Sequence, residues 1–428
     1  MRYNPINKYL FQKNRAKLTQ RLKPNSVAIF NSNDIMPTNA DGSFSFRQNN
    51  DLYYLSGIDQ EETILLIYPD SPNATYKEVL FIKKTNDLIA IWEGHKHSKE
   101  EACKLSGVNT IFWLEEFETK LNEIVNNADF IYLNSNEHAR ATSEVQTRDN
   151  RFRIWCKRMF PSKQYERIAP IMHQLRYYKE PEEIEQLKQA CAITNKAFRR
   201  ILKFIKPGVK EYEIEAELTH EFLTNASRGH AYQPIIASGA NSCVLHYIDN
   251  SQTCKNGDLL LLDFGAEYAN YNADLSRTIP VNGKYSSRQK QVYNAVLRTQ
   301  RFAMNELKVG NTFEVYNRSI AQFIEKELVD LRLISINDLK NQDPKKPLYR
   351  KYFMHGTSHS LGLDVHDVDD RSLPFGEGMV FTCEPGIYIR EENIGIRIEN
   401  DTLITKNGNE DLMYNIPIET DEIENLMA

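Results

Sequence analysis

The chain has 428 residues, 41% hydrophobic and 26% charged, with a net charge of −5, an ordinary globular composition with room for two or three domain-sized cores. So mild a charge gives no support for nucleic-acid binding, and no apolar run approaches the roughly 18 residues of a membrane span. The opening stretch MRYNPINKYLFQKNRAKLTQ lacks a signal peptide's apolar core, and six cysteines (103, 156, 191, 243, 254 and 383) form no Cys-x-x-Cys pair; both point to a cytoplasmic protein with reduced, structural thiols.

In chain order, VAIF (27–30), TILLIYP (63–69), EVLFIKK (78–84) and FIYLN (130–134) read as short buried strands. They alternate with helical patterns near 3–22, 98–106 and 115–127, which predicts an α/β first domain. Text punctuated by Pro161, Pro170 and Pro181 follows, and a boundary near 172–176 divides the chain into domains 1–173 and 174–428. Pro181 suits the first position of a long helix, with Glu182 and Glu183 at its positive end. Apolar residues from Ile184 to Ile205 then recur at steps of three and four until Lys206-Pro207-Gly208 stops the pattern. Further helices are predicted near 211–225, 286–308 (opened by a Ser286/Gln289 capping box) and 313–329, among strands at 232–238, 258–279 and 378–405. The second domain is therefore α+β.

The stretch LLLLDFGAEYANYNADLSRTI (259–279) carries the first chemical signal. Four leucines predict a strand buried on both faces, yet Asp263 follows directly and Asp274 comes eleven residues later; a buried, unpaired carboxylate is costly. Residues 258–266 and 271–279 read as strands around a turn at 267–270. Centring the hairpin between Tyr268 and Ala269 places Asp263 and Asp274 directly opposite each other on one face, where like charges repel. Either each Asp answers its own cation, with Arg277 and Lys284 at hand, or the pair shares a proton or a hard cation.

Downstream, FMHGTSHSLGLDVHDV (353–368), VFTCEPGIYI (380–389) and IGIRIEND (394–401) again interrupt β-prone text with charge, at Glu384 and Glu399. Four carboxylates and an imidazole exceed what one divalent ion uses comfortably; two ions with bridging carboxylates fit. Oxygen-rich ligation with one His favours Mn²⁺, Co²⁺ or Fe²⁺ over structural zinc. Two ions roughly 3.5–4 Å apart would hold a water between them and deliver hydroxide at neutral pH.

The order Asp263, Asp274, HGTSH, CEPG and RIEN resembles the pita-bread metallopeptidases. FRQNNDLYYLSGI (46–58) with MHGTSHSLGLDVHD extends the likeness almost end to end, toward the aminopeptidase P (Xaa-Pro aminopeptidase) family. That resemblance implies a creatinase-like α/β amino-terminal domain, an α+β pita-bread catalytic domain, two Mn²⁺ ions, and a homo-oligomer, a dimer or tetramer. Its substrates would be peptides with proline at the second position, cut through a metal-bridging hydroxide. The implied ligands are Asp263 on one ion, His359 and Glu384 on the other, and Asp274 and Glu399 as bridges. Glu384 would also handle the water's proton. His246 and His366 match substrate-contacting histidines, His355 one near the proline pocket, and Arg397 would orient a ligand carboxylate. Trp92 would lie on a loop reaching toward a neighbouring subunit. An extended 361–366 would point Leu361, Leu363 and Val365 one way, and Gly362, Asp364 and His366 the other.

Rival readings are an Xaa-Pro dipeptidase with the same ligands, a methionine aminopeptidase, a metal-free amidinohydrolase, and a pita-bread binding module without catalysis. THEFLT (219–224) has Thr224 where a His-Glu-x-x-His motif needs histidine, and no Gly-x-Gly-x-x-Gly or phosphate loop is present.

Overall fold

A computed structural model describes residues 2–428. Two compact units emerge, residues 4–176 and residues 177–428 together with Arg2 and Tyr3.

The first unit runs α1 (Lys8–Thr19), β1 (Ser26–Asn31), α2 (Asn50–Ser56), β2 (Ile64–Ile67), β3 (Glu78–Ile82), α3 (Asp87–Glu93), α4 (Lys99–Ser106), β4 (Thr110–Trp113), α5 (Phe117–Val125), β5 (Phe130–Leu133), α6 (Arg148–Met159), β6 (Gln164–Arg167) and α7 (Ala169–Tyr177). Its six strands form one mixed sheet, ordered β4-β3-β2-β1-β5-β6. The pairs β1–β2 and β2–β3 are antiparallel and the remainder parallel. All of β1 is buried, as expected of a central strand covered on both faces, and Val27, Ile29, Leu66, Phe81, Leu121 and Ile131 share its core. The first helix is shorter than the 3–22 pattern. Asn7 accepts from Tyr9 N and caps it at Lys8. The Pro-punctuated stretch from 161 to 181 contains β6 and α7. Trp92 stands on α3 rather than on a loop, 82% exposed.

The second unit runs α8 (Pro181–Phe204), α9 (Glu211–Thr224), β7 (Ile235–Ser238), β8 (Leu259–Phe264), β9 (Glu267–Tyr268), β10 (Tyr271–Asn272), β11 (Leu275–Pro280), α10 (Ser287–Glu306), α11 (Phe313–Asp330), α12 (Ile336–Asn341), β12 (Val380–Cys383), β13 (Gly386–Ile389), β14 (Ile394–Arg397), β15 (Asn400–Thr405), β16 (Gly408–Asp411) and α13 (Thr420–Met427). Pro181 opens α8, which buries Leu187, Cys191, Thr194, Phe198 and Ile201 along one face, and the Ser286/Gln289 capping box opens α10. Its strands form sheets β11-β8-β7 and β12-β15-β16 with hairpins β9-β10 and β13-β14.

The expected register of the central hairpin is corrected by two residues. Its turn is Ala269–Asn270, both left-handed at φ 52° and 69°, so Tyr268 faces Tyr271, the geometry of a two-residue hairpin turn. Carried down the ladder, this sets Asp263 against Ser276 rather than Asp274. A shift of two keeps every side chain on its face, so the two aspartates are diagonal neighbours. The strands are also interrupted at 265–266 and 273–274, where the sequence reads as continuous strand, although the Ala273 N–H still donates to the Ala266 carbonyl at 3.0 Å. Gly265 lies there, and a Cβ on it would stand 1.7 Å from the Ala273 carbonyl oxygen. Only glycine permits that approach.

Candidate active site

The apolar run of β8 fixes the site's first carboxylate. Leu259 to Leu262 are at most 1% exposed, and Asp263 lies near the end of this central strand, between β7 and β11. Asp274 precedes β11, its backbone N–H held by Asp401 Oδ2 at 3.1 Å. Tyr232 Oη reaches Oδ1 of both aspartates at 2.5 Å. One phenolic proton thus serves two carboxylate oxygens.

His359 and Glu384 are placed by a second antiparallel pairing, invisible as a named strand. The amides of Leu361, Thr382 and Glu384 donate to the carbonyls of Val380, His359 and Thr357 at 3.1, 3.0 and 2.8 Å. In that register His359 opposes Thr382, so Glu384, two residues on, is its diagonal neighbour on the same face. The relation matches that of Asp263 to Asp274. His359 Nδ1 lies 3.0 Å from the Ser360 carbonyl, to which only a protonated nitrogen can donate. Nε2 then turns its lone pair toward Asp274 Oδ2 at 3.5 Å and Glu384 Oε1 at 3.7 Å. Glu399 follows β14, its N–H donating to the Ser276 carbonyl at 3.0 Å and its Oε2 accepting from Ser276 Oγ at 2.7 Å. Ligand atoms of Asp274, His359 and Glu399 all lie within 4.8 Å of one another.

Charge at this focus is unbalanced. Arg397 donates to Asp263 Oδ2 at 2.5 Å, to Ser276 Oγ at 2.8 Å and to Tyr388 Oη at 2.9 Å. Among the described residues no other arginine or lysine pairs with the four carboxylates. Arg277 spends its donors on the carbonyls of Pro417, Ser276 and Glu399 and on Asn400 Oδ1, and Lys284 pairs with Glu424. Burial first, then Asp263, holds the Asp274 carboxyl well above its ordinary range. Burial and Asp274 do the same to Glu399, and burial pushes Glu384 up to about 7. Four converging carboxylates against one arginine make an environment that asks for cations. Oxygen donors with one imidazole suit hard or borderline divalent ions.

Histidines line the approach. His355 Nδ1 lies 3.8 Å from Glu384 Oε2 and Nε2 lies 2.8 Å from Tyr388 Oη; burial pushes its pKa down to about 3, leaving a neutral ring. His366 sets its ring perpendicular to that of His359, with centroids 4.2 Å apart. The extended geometry expected for 361–366 is absent. Residues 362–366 are a series of bends, with Gly362 N donating to Asp364 O at 3.0 Å, Leu361, Gly362 and Leu363 all buried, and His366 exposed. His246 sits on an exposed turn after Cys243, near enough to act electrostatically on His355. Tyr232, Ser276, Tyr388 and Asp401 were missed by sequence reasoning. Asp401 alone carried a signal, as another carboxylate interrupting strand text.

Comparison with known proteins finds likeness in sequence and in overall fold. Residues 185–406 match the model of metallopeptidase family M24, and residues 11–132 that of the aminopeptidase P N-terminal domain. The Xaa-Pro aminopeptidase of Escherichia coli (strain K12) is 33% identical over 440 residues, covering 99% of this chain and 98% of that one. Among solved structures, E. coli aminopeptidase P with the inhibitor Pro-Leu superposes with a TM-score of 0.89 at 32% identity, over 99% of both chains. Pseudomonas aeruginosa aminopeptidase PepP does so with a TM-score of 0.90 at 29% identity, over 99% of this chain and 98% of that one. The chain belongs to metallopeptidase family M24, with an aminopeptidase P amino-terminal domain ahead of a pita-bread carboxy-terminal domain.

Proposed function

We propose that this M24 metallopeptidase is an Xaa-Pro aminopeptidase, a metallo-exopeptidase that removes the first residue from peptides with proline at the second position. Two divalent ions, Mn²⁺ in our reading, would be held by Asp263, Asp274, His359, Glu384 and Glu399. When bound, such ions would supply Lewis acidity and a water acidified to near-neutral pKa. The observation that carries the proposal is the convergence of those five side chains with a single arginine among them.

The chain's own residues supply the remainder. Glu384, beside His355 and His359, is poised to take a proton from water and return it to the departing amine, as a general base and then an acid. Arg397 fixes Asp263 from one side through a fork shared with Tyr388 and Ser276. A bond to proline is a tertiary amide and offers no N–H to grip. The rings of His355 and Tyr388, with centroids 5.5 Å apart, give flat walls for a pyrrolidine, while His246 and His366 offer donors to carbonyl oxygens from the exposed side. Cytoplasmic location and assembly into a dimer or tetramer belong to the same reading.

The test is hydrolysis by the Mn²⁺-loaded protein of an Arg-Pro-Pro peptide, a bare Xaa-Pro dipeptide and an Arg-Ala-Pro control. Release of free arginine from the first substrate alone supports the proposal. Cleavage of the dipeptide alone makes the protein a dipeptidase, and cleavage of neither overturns the reading.

A further inference from the structure

A second cluster of ligating side chains lies in the first unit, outside the M24 domain. His95, His97 and Glu101 each bring one ligand atom within 4.8 Å of the others. They lie on and just after the connection from α3 to α4. Gly94, at φ 77°, ends α3. Ser98 starts α4 through a reciprocal capping box in which Ser98 N–H donates to Glu101 Oε2 at 2.9 Å and Glu101 N–H to Ser98 Oγ at 3.2 Å. That box holds the Glu101 carboxylate in place before any ligand arrives. His97 is anchored through its own N–H, which donates to Gln60 Oε1 at 2.8 Å, and its side chain is half-buried. His95 is exposed and brings Nε2 to 3.0 Å from Glu101 Oε2. The two imidazole rings stand nearly perpendicular, at 83°, with centroids 6.0 Å apart.

A plain surface ion pair between His95 and Glu101 would need neither the second imidazole nor the fixed carboxylate, and such pairs contribute little. The neighbouring ammonium groups do not fill the site. Lys96 pairs with Glu61, and Lys99 lies 4.8 Å from the Trp113 ring centroid and 3.9 Å from Glu116.

We propose that His95, His97 and Glu101 form a separate binding site for a zinc-class transition-metal ion on the surface of the first unit. Two imidazoles and one carboxylate are the donor set that suits Zn²⁺, with Cu²⁺ bound more tightly still and Mn²⁺ much more weakly. Three protein ligands leave the fourth position to solvent. Binding would tie the end of α3 to the first turn of α4.

The tryptophans give this site its own reporter. All three, Trp92, Trp113 and Trp155, belong to residues 4–176, and Trp92 is three residues before His95. Cu²⁺ titrated into the Mn²⁺-loaded full chain is expected to quench tryptophan fluorescence saturably, and a large excess of Zn²⁺ to reverse the quenching. His95→Gln and His97→Gln should each raise the Cu²⁺ midpoint at least tenfold. Glu101→Gln, which keeps an oxygen for the Ser98 N–H, should weaken it less. Equilibrium dialysis should find one Zn²⁺ fewer per chain in His97→Gln than in the parent. Unchanged quenching midpoints in both histidine variants, or an unchanged Zn²⁺ count, would overturn the site. Neither readout depends on peptidase activity.

Discussion

The Arg397 guanidinium sits 2.5 Å from Asp263 Oδ2, so one of four converging carboxylates meets a fixed positive charge. The same guanidinium holds Ser276 Oγ at 2.8 Å and Tyr388 Oη at 2.9 Å. Lysine keeps the charge but loses the planar fork that makes three contacts at once. Arg397→Lys is therefore expected to lose roughly 10–100-fold in metal affinity or turnover, the usual effect of removing a group that orients a ligand. Dialysis against graded Mn²⁺, followed by elemental analysis and turnover, checks this. Parent-like metal retention and turnover would show that Arg397 acts by charge alone.

Asp274 is buried, with both carboxylate oxygens and its backbone N–H engaged. Tyr232 lies on Oδ1 at 2.5 Å, His359 is 3.5 Å from Oδ2, and Asp401 holds its backbone. A group in that position is suited to bridge two ions. Asp274→Ala is expected to reduce the bound metal from two ions per chain to one or none, with activity lost. Elemental analysis that finds two tightly held ions in this variant would remove Asp274 from the bridging role.

Proton transfer and substrate contact separate in two further variants. Glu384→Gln preserves side-chain shape but cannot accept a proton, a step that typically contributes about 10²–10⁴-fold; the variant is expected to fold and to lose that much turnover. His366→Ala removes a donor beside His359 without touching the four carboxylates, and removing such a donor costs about 10²–10³ in turnover. Because His366 is exposed, its melting temperature should stay at that of the parent, with metal content unchanged. A lower melting temperature with turnover per folded molecule preserved would make His366 a structural residue.

Much of the site was legible because Asp263, Glu384 and Glu399 each interrupt apolar, strand-forming text, a pattern that burial alone would not tolerate. The central register was not. It depended on which two residues adopted left-handed backbone, and neither Ala269 nor Asn270 announces that as Asn-Gly would. His366 was placed on an extended strand because LGLDVH alternates. The 3.0 Å bond from Asn272 N–H to the Gly362 carbonyl, with that from Gly362 N–H to Asp364, bends the segment instead. In the first unit β6 was unreadable because Gln164–Arg167 has no buried residue, so hydrophobic periodicity had nothing to report. Tyr232 was hidden for a different reason: a lone tyrosine carries no spacing signal, and only the fold brings it to two aspartates.

A carboxyl outside the proposed ligand set gives a pH-dependent test of the fold. Glu183, in the first turn of α8, is 1% exposed, and burial pushes its pKa from 4.5 up to about 7. Below pH 4.5 it is protonated whether the chain is folded or not, and it contributes no pH dependence. Between 4.5 and about 7 the folded chain keeps a proton that the unfolded chain has lost, so stability falls as pH rises through this window. Above 7 both forms are ionised and the full cost persists, at most about 3 kcal/mol for a shift of this size. Glu183→Gln should abolish that loss. Its amide oxygen can accept from the Glu180 N–H, now 2.9 Å from Oε2, and its amide nitrogen can donate to Tyr271 Oη, now 3.1 Å from Oε1. The variant is expected to match the parent near pH 4.5 and to exceed it increasingly up to pH 7–8. Denaturant melts of both proteins across that range, with metal held constant, measure the difference. A variant less stable than the parent at pH 8 would mean that Glu183 is held ionised in the fold.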